Sequence, residues 1–352
     1  MRTVRDIDLD GKTVLVRVDY NVPLEEGAVS DDLRVRASVP TLEYLREHGA
    51  KKIILISHLG RPEGVDEALS LKPVAKVLEE LVGNVKFVPA ISGTEVRLAV
   101  DGLQDGGILL LENLRFFPGE KANNEEFIRE IIEDTGAEVY VQDGFAVVHR
   151  AHASTDAVAQ FLPVVAGLLL EKEIVNLRKV MDEPEKPFLI IVGGAKVEDK
   201  APLIEKFGKV ADHIVVGGKI AADGYKAEGV EVSKIYVAED FDEDGAGAKL
   251  DVGPVSMTKI AGMITDAKTI VWNGLMGKAE DPAYATASTI VAEMIGEKED
   301  ALTVICGGDT TGFVENLMET HPGLKYSLIS TGGGAALEFL LGKELPGIKV
   351  IK

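Results

Sequence analysis

The sequence predicts an α/β protein made of two doubly wound parallel-sheet domains, joined by a long helix and a hinge with a cleft between them. Short aliphatic runs such as "KKIILI" and "PFLIIV" recur along the chain, and their apolar residues are continuous rather than alternating. Such runs are typical of parallel strands covered on both faces. Segments with helical spacing, such as "TLEYLREHG", follow them. The chain has 352 residues, which is longer than most chains that fold around a single hydrophobic core, so we expect two domains.

The predicted strands of the first half, assigned to a domain over 1–165, end in polar side chains. They lie in "KTVLVRVDYNVP", "KKIILISHLGRP", "GILLLENLRFFP" and "AEVYVQDGFAVVHRAH". Each segment closes on a cluster of Asp, Asn, His or Arg. In open α/β sheets, ligands bind beyond the carboxyl ends of the strands. We therefore expect a binding site made of side chains in this half.

The predicted strands of the second half, assigned to a domain over 183–335, end in glycines. They lie in "PFLIIVGGAKVEDK", "DHIVVGGK", "KTIVWNG", "LTVICGGDTTG" and "YSLISTGGGAA". Glycine lets the backbone approach a ligand closely. The expected site in this half is therefore made largely of backbone groups.

The segment between the two halves predicts a helix from about Val164 to Met181, ended by Pro184 and Pro187. We interpret 166–182 as the interdomain helix. The last segment, 336–352, either completes the second domain or returns to the first, and the sequence leaves both alternatives open.

Charge and composition exclude several classes of partner. The formal net charge is −20, whereas nucleic acids and anionic membranes need a basic surface. The longest apolar run, "FLPVVAGLLL", falls well short of a membrane span, and "MRTVRDIDLDGK" does not resemble a signal peptide. With Cys306 as the sole cysteine, no internal disulfide can form, and a buried inert thiol is expected. These features predict a cytoplasmic protein.

Arginine is confined to the first half: all 12 arginines lie at or before Arg178. Several stand at or near strand ends, in the company of His58, His149 and His152. Because cations are costly to bury without an anion, this pattern predicts a small ligand with several negative charges. Asp19 and Asn21 would bind its hydroxyl groups. The arginines concerned are Arg34, Arg61, Arg115 and Arg150.

The glycine-rich half favours phosphate or nucleotide binding. In "GGDTTGFVENLME", Asp309 offers an oxygen ligand for a divalent cation, and Thr310 or Thr311 could cap the following helix. Lys196 and Lys200 are four residues apart, so both can face one anion, although two solvated lysines paired with nearby acids remain an alternative. No G-x-x-x-x-G-K-[ST] or G-x-G-x-x-G motif occurs. A nucleotide facing a small polyanion predicts phosphoryl transfer.

Eight segments together resemble the phosphoglycerate kinase family. They are "RVDYNVP", "SHLGRP", "LLENLRF", "HRAHAST", "GGAKVEDK", "WNG", "GGDT" and "STGGGAALE", in the family's order from residue 17 to residue 338. The resemblance implies a monomeric, hinge-bending enzyme of glycolysis and gluconeogenesis. It would transfer phosphate between ATP and the carboxylate of 3-phosphoglycerate, with Mg²⁺.

The resemblance also implies the roles of individual residues. The residues that would bind 3-phosphoglycerate are Asp19, Tyr20, Asn21, Arg34, His58, Leu59, Gly60, Arg61, Arg115 and Arg150. Those that would bind ATP or ADP are Gly193, Lys200, Gly217, Gly218, Asn273, Glu280, Gly307, Gly308, Asp309 and Thr310. Asp309 would hold the magnesium ion. The residues that would act on the phosphoryl group in transfer are Arg34, Lys196, Lys200, Gly332 and Gly333.

Some positions depart from the family pattern. After "WNG", "LMGKAE" replaces the usual proline and aromatic residue, so the segment that carries Glu280 and bears on the base preference differs from the family pattern. Lys219 stands where a third glycine is common. Two alternatives remain open: a two-lobed protein that binds a phosphorylated metabolite without catalysis, and a kinase of another acidic substrate.

Overall fold

The computed structural model describes residues 1–226 and 230–351. The chain forms two compact units, one of residues Met1–Lys172 together with the residues from Glu344 onward, the other of Glu173–Lys343. Each unit contains a six-stranded, wholly parallel sheet. The predicted fold class is therefore confirmed.

The first unit is built around the sheet β5-β6-β4-β1-β7-β8. In chain order, the elements up to the end of this sheet are β1 (Thr13–Arg17), β2 (Leu24–Glu25), β3 (Ala28–Val29), α1 (Leu33–Glu47), β4 (Lys52–Ile56), α2 (Lys72–Val82), β5 (Val85–Phe87), α3 (Thr94–Asp101), β6 (Gly107–Leu110), α4 (Pro118–Lys121), α5 (Glu125–Thr135), β7 (Val139–Gln142) and β8 (Val164–Ala166). The central strand β1 pairs with β4 and β7, so that Arg17 lies beside Ile56 and Gln142. β2 and β3 form a separate antiparallel pair.

The predicted start of the interdomain helix was wrong. Val164 and Val165 belong to the edge strand β8, which pairs with β7, and the helix α6 (Leu168–Asp182) begins after Gly167. Apolar spacing alone does not separate a short buried strand from a helix, whereas the two β-branched valines favour the strand. At Gly167 a side chain would collide with the carboxylate of Asp143.

Asp143 binds the first turn of α6 from inside the first unit. Its Oδ1 accepts hydrogen bonds from the amides of Leu169 at 3.1 Å and Leu170 at 3.5 Å. The carboxyl is fully buried, and its Oδ2 has no partner among the described residues. Burial raises the pKa of Asp143 to about 7, against the opposing effect of the hydrogen bonds from Thr41 and the helix amides.

This raised pKa predicts that Asp143 makes stability fall as pH rises. Between the ordinary pKa of an aspartate and about 7, the folded state binds more protons than the unfolded state. The favourable contribution of Asp143 to the free energy of unfolding is therefore complete at low pH and is lost above about pH 7. The full difference is on the order of 4 kcal/mol. In Asp143→Asn, the unfolding free energy measured between pH 5 and pH 8 should fall less steeply than in the unmodified protein. Parallel pH profiles would contradict this prediction.

The second unit is built around the sheet β11-β10-β9-β14-β15-β16. After α6, the chain forms β9 (Phe188–Val192), α7 (Val197–Phe207), β10 (His213–Val216), α8 (Gly218–Ala222), β11 (Ile235–Val237), β12 (Phe241–Glu243), β13 (Lys249–Val252), α9 (Pro254–Asp266), β14 (Thr269–Asn273), α10 (Thr286–Gly296), β15 (Leu302–Cys306), α11 (Gly308–Thr320), β16 (Leu328–Ile329), α12 (Gly334–Leu340) and α13 (Pro346–Lys349). The strand order reverses between β9 and β14, and ligands of such sheets bind at this switch point.

Helix α13, at the end of the chain, packs on the first unit. The Gly347 amide donates to the Val148 carbonyl at 2.9 Å, and a side chain at Gly347 would meet the Val148 backbone at 2.9 Å. Of the two alternatives left open for the end of the chain, the structure therefore shows the return to the first unit for the residues from Glu344 onward.

The strands that the sequence did not predict are three short edge strands and two antiparallel pairs, namely β5, β8, β11, β2–β3 and β12–β13. Cys306 is buried at the end of β15, where burial raises its pKa, as expected for an unreactive thiol. Among the described residues, no helix is both long enough and apolar enough to cross a bilayer.

Candidate active site

Polar side chains from four neighbouring strands of the first sheet meet at one edge. The strands β6, β4, β1 and β7 lie side by side in that order. Because they are parallel, their carboxyl ends lie at the same edge, where each is followed by a predicted site residue. The positive charges of the arginines act directly on His58 at this edge. We call the group the cationic edge, and it consists of Asp19, Arg34, His58, Arg115 and Arg150.

Asp19 and Asn21 organise the loop after β1. Arg34 Nη1 donates to Asp19 Oδ2 at 2.7 Å and to the Asn21 carbonyl at 3.1 Å. The Asn21 side chain in turn accepts a hydrogen bond from the Gly60 amide at 2.8 Å, which ties the loop after β1 to the loop after β4. Arg34 is therefore oriented by two groups of the β1 loop.

His58 is buried within the cationic edge. Its Nδ1 lies 3.1 Å from Arg17 Nη2 and 3.7 Å from Asp19 Oδ1. The pKa of His58 is lowered well below its ordinary value, first by burial and then by the charges of Arg17, Arg115, Arg34 and Arg150. The imidazole is therefore neutral at physiological pH.

Arg115 is the most buried of the predicted arginines. Its Nη1 donates to the Gly60 carbonyl at 2.7 Å, while its Nε has no partner among the described residues. Burial, followed by the charges of Arg17 and Arg150, lowers the pKa of Arg115 to about 10. Since this value is still far above physiological pH, the site holds several crowded cations, which an anionic ligand would stabilise.

Three predicted site residues have unexpected positions. The Tyr20 side chain is fully buried with its hydroxyl 2.9 Å from Ser38 Oγ, and Leu59 is also part of the core. Neither side chain is placed to contact a ligand, so both act as packing residues that shape the loops. Arg61, by contrast, is exposed and makes no ion pair with any described residue.

Arg17 also belongs to this site, although it is not among the residues predicted from the sequence. It is the last residue of β1, is only 1% exposed and lies directly against His58. An arginine inside an otherwise aliphatic strand was the available signal, because a buried guanidinium needs several acceptors.

The second unit contains a cavity of about 420 Å³ at its switch point. The cavity lies at the carboxyl ends of β9, β14 and β15, where the glycine-rich motifs were expected to bind a nucleotide. Its lining residues are Gly194, Ala195, Lys196, Lys200, Lys219, Lys249, Leu250, Asn273, Gly274, Leu275, Gly277, Lys278, Glu280, Gly307, Gly308, Asp309 and Thr310.

The lining of this cavity is cationic. Among the described lining residues, five lysines stand against two carboxylates, those of Glu280 and Asp309. Lys196 and Lys200, predicted to face one anion, both contribute, and Lys200 Nζ donates to Asn273 Oδ1. The segment "LMGKAE" also supplies lining residues, among them Glu280. An anionic ligand of nucleotide size would fit this cavity.

The first turn of α11 faces the cavity without a side-chain cap. The predicted cap by Thr310 or Thr311 was wrong: the N-cap is Gly307, with φ +93°. Thr310 Oγ1 accepts from the Gly274 amide at 2.8 Å, and Thr311 Oγ1 donates to the Gly308 carbonyl at 3.0 Å. The helix amides are consequently left for a ligand, and a helix N-terminus favours an anion.

Asp309 lies in the first turn of α11 and is exposed. Among the described residues there is no group of three or more His, Cys, Asp or Glu that could hold a metal by itself. Mg²⁺ commonly binds through one or two carboxylates plus substrate phosphates. One exposed carboxylate beside lysines and helix amides fits a magnesium ion that arrives with a nucleotide.

Several predicted glycines do not line the cavity, and close packing explains why most of these positions are glycine. A side chain at Gly193 would meet the Gly274 carbonyl oxygen at 2.5 Å, and one at Gly218 would meet the Gly194 amide at 2.7 Å. At Gly217 it would collide with the Met276 side chain. Of the other two predicted glycines, Gly333 is the N-cap of α12 with φ +50°, and the Gly332 amide donates to Ser330 Oγ at 3.2 Å.

Comparisons with known proteins identify the family. The family model described as phosphoglycerate kinase matches residues 4–246 and 241–343. Proteins named phosphoglycerate kinase from Dictyoglomus turgidum and Moorella thermoacetica are 41% and 42% identical, over 99% and 98% of this chain and 98% of each relative. The crystal structure of phosphoglycerate kinase from Pyrococcus horikoshii aligns with a TM-score of 0.88 at 29% identity, over 100% of this chain and 98% of that one. The chain therefore belongs to the phosphoglycerate kinase family, whose members are phosphotransferases.

Proposed function

We propose that this protein catalyses the reversible transfer of a phosphoryl group between ATP and the carboxylate of 3-phosphoglycerate, giving ADP and 1,3-bisphosphoglycerate. The observation that carries the proposal is the presence of two anion-binding sites of different composition, one in each unit. The cationic edge of the first unit suits a small polyanion. The lysine-lined cavity of the second unit suits a nucleotide.

On the substrate side, Arg61, Arg115 and Arg150 would neutralise the 3-phosphate. Asp19 and Asn21 would bind the hydroxyl and carboxyl region. Arg34 would stabilise the phosphoryl group in transfer, because it lies next to these groups through its hydrogen bonds to Asp19 and Asn21. Such a transfer depends on positioning and charge stabilisation rather than on a covalent intermediate.

On the nucleotide side, Lys196 and Lys200 would bind the phosphates, together with the amides at the start of α11. Glu280 and Asn273 would lie near the rest of the nucleotide, and Gly332 and Gly333 would orient donors toward the transferring group. Asp309 would hold Mg²⁺. The bound ion would offset negative charge on the phosphates.

An assay of phosphoryl transfer tests this proposal. With MgATP and 3-phosphoglycerate, the protein should form ADP and 1,3-bisphosphoglycerate together. Tight binding of 3-phosphoglycerate without turnover would favour the non-catalytic binding protein. Turnover with another acidic substrate alone would favour a different kinase.

Arg61→Ala should weaken 3-phosphoglycerate binding, because an exposed guanidinium that makes no ion pair with a described residue is available to the phosphate. A charge-assisted hydrogen bond contributes about 1.5–3 kcal/mol, so the dissociation constant measured by calorimetry without nucleotide should rise roughly 10- to 100-fold. Arg97→Ala is the matched control, since Arg97 pairs with Asp134 elsewhere on the same unit. Equal affinities for the two variants would remove Arg61 from the site.

We further propose that the enzyme is a cytoplasmic monomer whose two units close when both substrates are bound. The acidic composition supports a freely soluble chain without nucleic acid or membrane partners. Solution scattering should give the mass of one chain and a smaller radius only in the presence of both substrates. A dimer mass, or no change in radius, would overturn this part.

A further inference from the structure

We propose that Glu120 and Ser154 are positioning residues of the cationic edge, which act through Arg17 to keep the proton of His58 on Nε2. In this form the imidazole can accept a hydrogen bond from Arg17 on one side and donate one to an anionic ligand on the other. The identity of that ligand as 3-phosphoglycerate rests on the proposed function. The tautomer itself does not.

The hydrogen-bond chain begins at Glu120. The Ser154 hydroxyl lies 2.6 Å from Glu120 Oε1, and the Ser154 amide donates to Oε2 at 3.1 Å. A carboxylate has only acceptors, so the single hydroxyl proton of Ser154 points to Glu120. The lone pairs of Ser154 Oγ are then left for the Nε of Arg17, which donates to it at 2.9 Å.

The guanidinium of Arg17 determines which ring nitrogen of His58 carries the proton. With Nε held by Ser154 and Nη1 by the Val18 carbonyl at 2.5 Å, the plane of the guanidinium is fixed, and Nη2 lies 3.1 Å from His58 Nδ1. Because a guanidinium can only donate, Nδ1 must accept. A neutral imidazole with Nδ1 as acceptor carries its proton on Nε2.

The surroundings keep these charge states in place. Glu120 and Ser154 are fully buried, and Arg17 and His58 are at most 3% exposed. Burial raises the pKa of Glu120, but the neighbouring His152, the charge of Arg17 and the hydrogen bonds from Ser154 lower it by more, so Glu120 is ionised. His152 Nδ1 lies 3.7 Å from Glu120 Oε1. Asp19 Oδ1 lies 3.7 Å from His58 Nδ1, which is too far for it to accept a hydrogen bond from this nitrogen.

Ser154 is the informative position, because it contributes one hydroxyl and no charge. In Ser154→Ala, Arg17 loses the acceptor for its Nε, so its plane is no longer fixed and the tautomer preference of His58 should weaken. Ser154→Thr keeps the hydroxyl and should restore the preference. Glu120→Gln removes the acceptor charge and should act like Ser154→Ala. Glu126→Gln, which removes a carboxylate from an exposed ion pair with Arg129, is the control.

The experiment is ¹⁵N nuclear magnetic resonance of the imidazoles in the full-length chain without substrate, with the His58 signals assigned from His58→Gln. We expect the Nε2–H tautomer in the unmodified protein, in Ser154→Thr and in Glu126→Gln. In Ser154→Ala and Glu120→Gln we expect a mixture of tautomers or a protonated ring, with thermal unfolding still cooperative. An Nδ1–H tautomer in the unmodified protein, or an unaltered His58 in both Ser154→Ala and Glu120→Gln, would overturn the proposal.

Kinetics separates positioning from a merely structural role. In Ser154→Ala, KM for 3-phosphoglycerate should rise roughly 10-fold while kcat changes less than about 3-fold, and Ser154→Thr should recover most of the loss. A proportional loss of kcat in Ser154→Ala and Ser154→Thr alike would indicate structural damage instead. Since the tautomer is read without substrate, absence of turnover with 3-phosphoglycerate would refute the proposed function and leave the tautomer result standing.

Discussion

Replacing Arg34 by alanine is expected to lower kcat roughly 100-fold or more, with a much smaller rise in KM for 3-phosphoglycerate. Its guanidinium is held by Asp19 and the Asn21 carbonyl, yet the side chain remains 28% exposed at the cationic edge. A fixed charge that is accessible to a ligand can stabilise negative charge as it develops, without reorganising during the reaction. A 100-fold loss corresponds to about 2.7 kcal/mol of transition-state stabilisation.

The neighbouring Arg36 is the matched control for this variant. It lies on the same helix, is more exposed and pairs with Asp32 at 2.7 Å. Arg36→Ala removes an equal charge from the same helix but from a different face, because residues two apart on a helix do not point the same way, so it should leave kcat within about 2-fold. If Arg34→Ala instead raises KM and leaves kcat unchanged, Arg34 is a binding residue and does not act on the transition state. Steady-state rates at saturating MgATP distinguish these results.

The positions of the site residues could be predicted from the sequence because strand ends are local features. Asp19, His58, Arg115 and Arg150 each follow an aliphatic run, and parallel strands bring their carboxyl ends to one edge whatever the details of packing. The glycine-rich ends of β9, β14 and β15 likewise lie at the cavity of the second unit.

The network behind these residues could not be predicted in the same way. Arg17 and Ser154 are separated by 137 positions in the chain, and their contact depends on the folding of the whole first unit. Tyr20 shows a different limit, because a residue next to site residues in the sequence need not share the site. It lies between two predicted site residues, but alternation along an extended segment turns its side chain into the core.

The sequence indicates the role of the glycines only in part. Glycine-rich strand ends suggested backbone groups that contact a ligand, and Gly307 and Gly308 do line the cavity. Gly193, however, must be a glycine because the backbone of Gly274 and Leu275 lies too close for a side chain. Its amide donates to the Asn273 carbonyl at 3.0 Å, and the Gly194 amide donates to the Leu275 carbonyl at 2.8 Å, so the ends of β9 and β14 lie closely side by side. Sequence shows that a glycine is present, whereas only the fold shows what it approaches.

Gly193→Ala is therefore expected to destabilise the second unit by roughly 3 kcal/mol. The added methyl group would meet the Gly274 carbonyl oxygen at 2.5 Å and the Leu275 carbonyl carbon at 2.8 Å, and both are backbone atoms that cannot rotate away. Relief would require the ends of β9 and β14 to separate, which also deforms the cavity, since Gly274 and Leu275 line it. Nucleotide affinity should fall together with stability.

The sole tryptophan, Trp272, makes this measurement specific to the second unit. It is fully buried in β14, beside the affected contact, so its fluorescence during urea unfolding follows this unit. Gly262→Ala is the matched control: it places the same methyl group on α9, where no described atom beyond its chain neighbours and the adjacent helix backbone lies within 4 Å, and should stabilise the unit by up to about 1 kcal/mol. Opposite signs for these two identical substitutions would show that the contact with the β14 backbone, rather than the loss of a flexible residue, decides the outcome. An unchanged urea midpoint for Gly193→Ala would mean that the two strand ends separate at little cost.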